Sequence, residues 1–249
     1  MGFSPGSFAR SAKTAFFRSL FSRAAKCPIA NRYWGFSLRD VLHGLSGVYE
    51  MASREGYREF GKWMKTAEDD WNHLRGEKAD KQTLYERLDY QRGLSVQSLS
   101  QRHLVLYNAA GTNVSAVYFD RSKHPRFVVE HKLYWGAFSN AEEAHYLVAV
   151  LNSETANEAI KPFQSTGLMG ERDIEKKLLE LPIPTFDRDN AKHQKLAELG
   201  LGAHKRAETA LHSGEFPATG STARQRAFIR THLESEMKEI DDLVNLLLD

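Results

Sequence analysis

The chain has 249 residues, 41% of them apolar, with fourteen Phe and four Trp, enough for one large or two small packed domains and too apolar for a disordered chain. The single cysteine, Cys27, excludes an intrachain disulfide framework; with no Cys or His at ligand spacing, it reads as an inert thiol in a reducing, cytoplasmic setting. No apolar run approaches the ~18 residues a membrane span needs, so no membrane partner is expected.

The net charge of +2 conceals an asymmetry. Residues 1–39 hold seven Lys/Arg and no Asp or Glu, leaving 27 basic against 32 acidic residues in the remainder. This basic N-terminal arm is open to three readings: a terminus or truncated neighbouring domain, an arm that reaches nucleic acid, and an Arg- and Ser-rich targeting segment.

Residues 40–75 read as helical. Val41, Leu42, Leu45 and Val48, then Phe60, Trp63, Met64, Ala67 and Trp71, recur at three- and four-residue spacing, and Gly44, Gly47, Gly56 and Gly61 divide the run into pieces. A charged turn at 75–81 leads to a short helix, Leu84 to Leu88. From 103 the character changes. His103 to Tyr107, Val114 to Phe119 and Phe127 to Trp135 are rich in β-branched and aromatic residues, with turn signals at Gly111-Thr-Asn113 and Lys123-His-Pro125 between them. Three strands are expected.

Asn140 or Ser139 then caps a helix with Ala144, Leu147, Val148 and Leu151 on its apolar face, and Ser153 caps a second, limited by Pro162. Lys161 to Ile174 reads as a polar, glycine-marked loop running into a short helix, and Leu181-Pro-Ile-Pro184 as a rigid exit. Two long helices follow, Asn190 to Leu211 and Ala223 to Leu248. In the second, Leu233, Met237, Ile240, Val244 and Leu247 make an a/d seam. The expectation is an α+β fold: a small mixed or antiparallel sheet with packed helices, followed by a C-terminal antiparallel helical hairpin. The expected domains are the arm at 1–39, an α+β domain at 40–187 and the hairpin at 188–249.

Methyl transfer to DNA needs a glycine-rich S-adenosylmethionine loop and, for an exocyclic adenine nitrogen, an Asn-Pro-Pro-Tyr type tetrapeptide. Neither occurs, and Walker and dinucleotide glycine patterns are also missing. One catalytic-looking pattern is present. Asp120, Glu130 and Lys132 have the D-x9-E-x-K spacing of Mg²⁺-dependent nucleases, in which carboxylates hold the metal and the Lys steadies a water; the competing reading is a salt-bridged strand face. No His spacing suits a metal. Better candidates for DNA contact are Lys161, Gln164, Ser165, Thr166, Arg172, Lys176 and Lys177, with Gly111, Thr112, Asn113 and Lys132 beside them. Gln suits adenine, Arg suits guanine, and Ser, Thr and Lys suit phosphate.

Taken together, several segments resemble the C-terminal target-recognition region of adenine-N6 DNA methyltransferases of restriction–modification systems. They are Leu84-Tyr-Glu-Arg-Leu-Asp-Tyr90, Val105-Leu-Tyr-Asn-Ala-Ala-Gly-Thr-Asn113, Val129-Glu-His-Lys-Leu-Tyr-Trp135, Glu143 to Ser153, Glu158-Ala-Ile-Lys-Pro-Phe-Gln-Ser-Thr-Gly167, Gly170-Glu-Arg-Asp-Ile174 and Leu181-Pro-Ile-Pro184. The order is also similar to the specificity subunits of type I restriction enzymes. The resemblance covers roughly residues 80–249 and implies a double-stranded DNA-recognition module in phage defence. Its partner would be a methyltransferase catalytic domain or subunit, which would carry the S-adenosylmethionine; no cofactor is expected on this chain. The family's catalytic half has no counterpart here, so this would be a fragment, split subunit or remnant. Two other readings stand beside it: the nuclease, and a non-catalytic protein-interaction module built on the C-terminal seam.

Overall fold

The computed structural model describes residues 48–248 except 80, 126, 130, 131, 168, 169, 172, 175 and 176. The basic arm at 1–39 lies outside them, as do Glu130, Arg172 and Lys176. The chain divides between Gln97 and Ser98 into two compact units.

In the first unit, helix α1 spans Val48–Arg54 and α2 spans Arg58–Leu74. The buried positions of α2 are Gly61, Met64, Ala67 and Trp71, the three- and four-residue spacing of one helix face. Trp71 donates its indole N–H to the Gln82 carbonyl at 2.9 Å, and Arg75 reaches the same oxygen at 3.0 Å, closing the charged turn. Helix α3, Leu84–Leu88, opens with a capping box. The Thr83 hydroxyl accepts from Glu86 N–H and the Glu86 carboxylate accepts from Thr83 N–H. Those hydrogen bonds, the backbone one foremost, hold the Glu86 carboxyl below its ordinary range.

The second unit carries the sheet. Strands β1 (His103–Asn108), β2 (Ala116–Asp120) and β3 (Leu133–Phe138) pair antiparallel in the order β2-β1-β3. Alternation puts Val105, Tyr107, Ala116, Tyr118, Tyr134 and Phe138 on one face, against Ala144, Val148 and Leu151 of α4 (Ala141–Asn152). The other face, Leu104, Leu106, Phe119 and Trp135, is covered by Phe127 and Val129. Here the expectation is corrected. Phe127, Val128, Val129 and Lys132 do not begin the third strand: Phe127 and Val129 pack over the sheet after the Lys123-His-Pro125 turn, and pairing starts at Leu133.

Asn140 caps α4 by accepting from Glu143 N–H at 2.9 Å, and Ser153 caps α5 (Glu154–Ile160) by accepting from Ala156 N–H. Helix α6 (Ala191–Leu211) crosses α4 closely: a Cβ placed on Gly200 would stand 2.3 Å from the His145 carbonyl oxygen. Leu196, Ala197 and Leu199 of α6 share a core with Tyr146, Ala149 and Val150 of α4 and with Ile240 and Val244. The hairpin helices therefore belong to the same compact unit as the sheet. The second long helix is divided at Leu233 into α7 (Thr222–His232) and α8 (Glu234–Leu248). The break lets α8 turn toward the start of α5, where Asp241 accepts the Glu154 N–H at 2.6 Å, while Ile240 and Val244 stay buried. The fold is α+β, and no helix among the described residues is long and apolar enough to cross a membrane.

Candidate functional site

The site is built where β1 ends. Asn108 closes the strand and folds its amide over the Ala109–Asn113 turn. Its Nδ2 donates to the Ala110 carbonyl at 3.0 Å and to the Asn113 carbonyl at 3.1 Å, and its Oδ1 accepts from Ser115 N–H at 2.7 Å. Gly111 sits at φ +146°, where a side chain is disfavoured, and a Cβ there would lie 2.9 Å from Asn108 Nδ2. From the helices, Asn157 accepts the Val114 N–H at 2.7 Å, and Asn152 both accepts from and donates to the Ala116 backbone at 2.9 Å. Two amide side chains thus pin the far end of the turn to α4 and α5.

The 161–174 segment meets this turn directly. Ala110 and Asp173 form an antiparallel bridge, and Ile174 N–H donates to the Ala109 carbonyl at 3.2 Å. Gln164 Nε2 donates to the Gly111 carbonyl at 3.1 Å. Between these contacts the glycine-marked part of the segment forms a short ribbon, β4 (Thr166–Gly167) against β5 (Gly170–Glu171). The Ser165 hydroxyl bonds Asp173 across the base of the ribbon. Ile160 and Ile174 are fully buried on either side. The result is a double loop, two turns from distant parts of the chain joined through backbone and held on buried anchors.

The expected contact residues divide accordingly. Thr112 and Ser165 are exposed on the double loop, with Gly111 and Asn113 half-buried. Lys132 is exposed beside it, its carbonyl accepting from Ala109 N–H at 3.1 Å. Lys161 pairs with Glu158 one turn back on α5. Thr166 lies in β4, and Lys177 opens a 3₁₀ turn ending at Glu180. Gln164 is the exception. It is 7% exposed, its amide N–H is engaged by the Gly111 carbonyl, and its Oε1 is buried without a partner. A Gln so placed braces the double loop and does not face a base. Asn108, Asn157 and Asp173, which complete the construction, were not among the expected residues. Only Asn108, an Asx residue ahead of a small-residue turn, carries a local signal for this role.

Of the nuclease trio, Asp120 and Lys132 lie apart, and Glu130 is outside the described residues. Asp120 stands opposite His103, at one end of β1, whereas Lys132 is bonded beside Ala109, past the other end. Six residues of strand separate them, about 20 Å at the ordinary rise. The Asp120 carboxylate is occupied by Arg102, through Nε at 3.0 Å and Nη2 at 2.9 Å, and by the Ser122 N–H and hydroxyl. The Arg102 hydrogen bonds are the chief reason its carboxyl lies well below the usual range. Among the described residues no group of three or more His, Cys, Asp or Glu could hold a metal ion.

The fold and site define an α+β module that presents a braced double loop. Compared with known proteins, the chain matches no family model, no curated protein and no solved structure.

Proposed function

We propose that residues 98–249 form a DNA target-recognition module that places a methyltransferase catalytic domain or subunit on a short duplex sequence. Base reading falls to the exposed parts of the double loop, Thr112, Asn113 and Ser165, and phosphate contact to Lys132 and Lys161 beside it. The partner supplies S-adenosylmethionine and methyl transfer, and this chain contributes position. The observation that carries the reading is the Ala110–Asp173 bridge. It joins two loops whose residue types each suit DNA contact, making one presented surface of hydroxyls, amides and backbone. Rigid presentation of a polar loop is what groove recognition needs, because base contacts discriminate only when their geometry is held.

Duplex binding by the full chain, followed by fluorescence anisotropy, tests this. Affinity should fall log-linearly with salt, and a duplex pool with a randomised centre should yield a preferred sequence. Thr112→Ala with Ser165→Ala should relax that preference. Absence of duplex binding at low salt, with the chain alone and with a catalytic partner added, sinks the reading.

A further inference from the structure

The charge of the C-terminal helices is unevenly distributed. Helix α8 holds Glu234, Glu236, Glu239, Asp241 and Asp242, and two of these pair with α6: Glu236 with Arg206 at 2.6 Å and Glu239 with Lys195 at 2.9 Å. Helix α7 holds Arg224, Arg226 and Arg230 and no acidic residue. Among the described residues none of these three arginines has an ion-pair partner.

The orientation of α7 is set by its other face. Gln225 Nε2 donates to the Ala218 carbonyl at 3.0 Å, and Phe228 meets Phe216 edge-on with ring centres 5.8 Å apart. The opposite stripe is Ala223, Arg226, Ala227 and Arg230, all exposed, at the i, i+3, i+4, i+7 spacing of one helix face. Isolated, this arrangement is unfavourable twice over. Arg226 and Arg230 are like charges one turn apart, and Arg224 lies in the first turn, where the helix dipole favours anions. No residue of α7 is fully buried to offset these effects. Ala223 and Ala227, on the same stripe as Arg226 and Arg230, leave room for an extended surface to come close to the helix backbone.

We propose that α7 is a sequence-independent contact for the phosphate backbone of duplex DNA, with Arg226 and Arg230 as the principal cations. Fixed cations with no internal partner release the counterions of a polyanion on binding, which is the source of salt-dependent affinity. The inference takes the duplex as partner from the function proposed above and assigns it a second surface with a different task.

The test is the slope of log affinity against log salt for the full chain, between about 50 and about 200 mM, on a selected duplex and on one of scrambled sequence. Arg226→Gln with Arg230→Gln should lower the slope by about two, at ~0.9 for each phosphate no longer neutralised, on both duplexes alike. Arg226→Lys with Arg230→Lys should keep it, and Lys238→Gln on α8 should leave it unchanged. An unchanged slope in the double Gln variant overturns the α7 assignment and leaves the double loop standing. A lowered slope with no sequence preference in the parent chain does the reverse. A loss of about 0.9 from Lys238→Gln, the same per cation, would mean generic charge and overturns the inference. So would a change of oligomeric state in the double Gln variant with duplex binding intact, which would place the arginines against a second copy.

Discussion

Gln164 and Gly111, 53 residues apart in sequence, are joined by an amide-to-carbonyl hydrogen bond of 3.1 Å, the side-chain brace beside the backbone contacts of the double loop. The Gly111 carbonyl is a backbone acceptor at a turn whose own ladder has ended, and such groups find a donor or face water. Gln164 supplies that donor from a side chain 7% exposed. Gln164→Ala should therefore cost about 1–3 kcal/mol, the usual penalty for an unsatisfied buried partner together with poorer packing. Urea unfolding measures this. The loop reading adds that sequence preference should relax while the salt slope stays the same. A variant as stable as the parent would remove the bracing role.

Gly111→Ala attacks the same junction from the other side. At φ +146° an alanine is strained whatever the space around it, and its Cβ would stand 2.9 Å from Asn108 Nδ2, the atom that holds the Ala110 and Asn113 carbonyls. Backbone strain of this kind costs on the order of 1–3 kcal/mol. Amide exchange should accelerate at the Ser115 N–H, which Asn108 Oδ1 holds, because displacing the Asn108 amide frees it. Unaltered protection there would show that the turn accommodates a side chain without moving Asn108.

The hydrogen bond from α5 to the turn predicts a third outcome. Asn157 Oδ1 accepts the buried Val114 N–H at 2.7 Å. Asn157→Ala leaves that N–H without a partner, at a cost of about 1–3 kcal/mol. Asn157→Asp keeps the acceptor but removes the Nδ2 donor to the Ser153 carbonyl, so it should fall between the parent and the alanine variant. Thermal or urea melts of the three proteins give the order, and an alanine variant no worse than the aspartate variant contradicts it.

These junctions also mark where sequence stops informing structure. The caps at Asn140 and Ser153 and the helix Leu84–Leu88 are legible, because a cap is a local contract between one side chain and an N–H two or three residues on. The α+β class is legible from the change of periodicity at 103. The break at Leu233 is not. No Gly or Pro marks it, and the seam of Met237, Ile240 and Val244 continues in phase. The contact beyond it, from Glu154 N–H to Asp241, pairs residues 87 apart and has no local signal. Gln164 escapes a sequence reading for the same reason. A polar residue in a polar loop reads as exposed, and only the distant Gly111 carbonyl turns it inward. The site's residue types can be read locally, while its bracing cannot.

The α4–α6 crossing gives a stability prediction independent of any ligand. Gly200→Ala would place a Cβ 2.3 Å from the His145 carbonyl oxygen, against backbone and not against a side chain that could swing away. The helices must separate locally, and overpacking of this kind costs about 1–3 kcal/mol. Gly202→Ala, two residues on with open space around it, should be neutral or slightly stabilising through helix propensity. Urea midpoints that move in opposite directions for these neighbours would verify the crossing; equal shifts would refute it.

His145 makes the same crossing sensitive to acid. It is 4% exposed, its Nδ1 has no partner, and its ring lies 4.3 Å, centre to centre, from Tyr118 of β2 and 5.7 Å from His204 of α6. Burial, reinforced by His204, Lys205 and His103, pushes its pKa down from 6.5 to about 4. The folded state therefore favours neutral imidazole. Below the unfolded value the unfolded chain takes up a proton that the folded chain refuses, so stability falls with pH. The contribution is fully present above 6.5 and is lost as the pH drops toward about 4, amounting to about 3 kcal/mol at ~1.4 kcal/mol for each pH unit between the two values. His204, also lowered chiefly by burial, adds to the trend in the same direction. His145→Phe keeps a ring against Tyr118 and removes the proton site. Its urea midpoint should change much less than the parent's between about pH 7 and about pH 4.5, leaving the part due to His204 and the carboxylates. Parallel pH profiles for the two proteins would show that acid acts elsewhere in the fold.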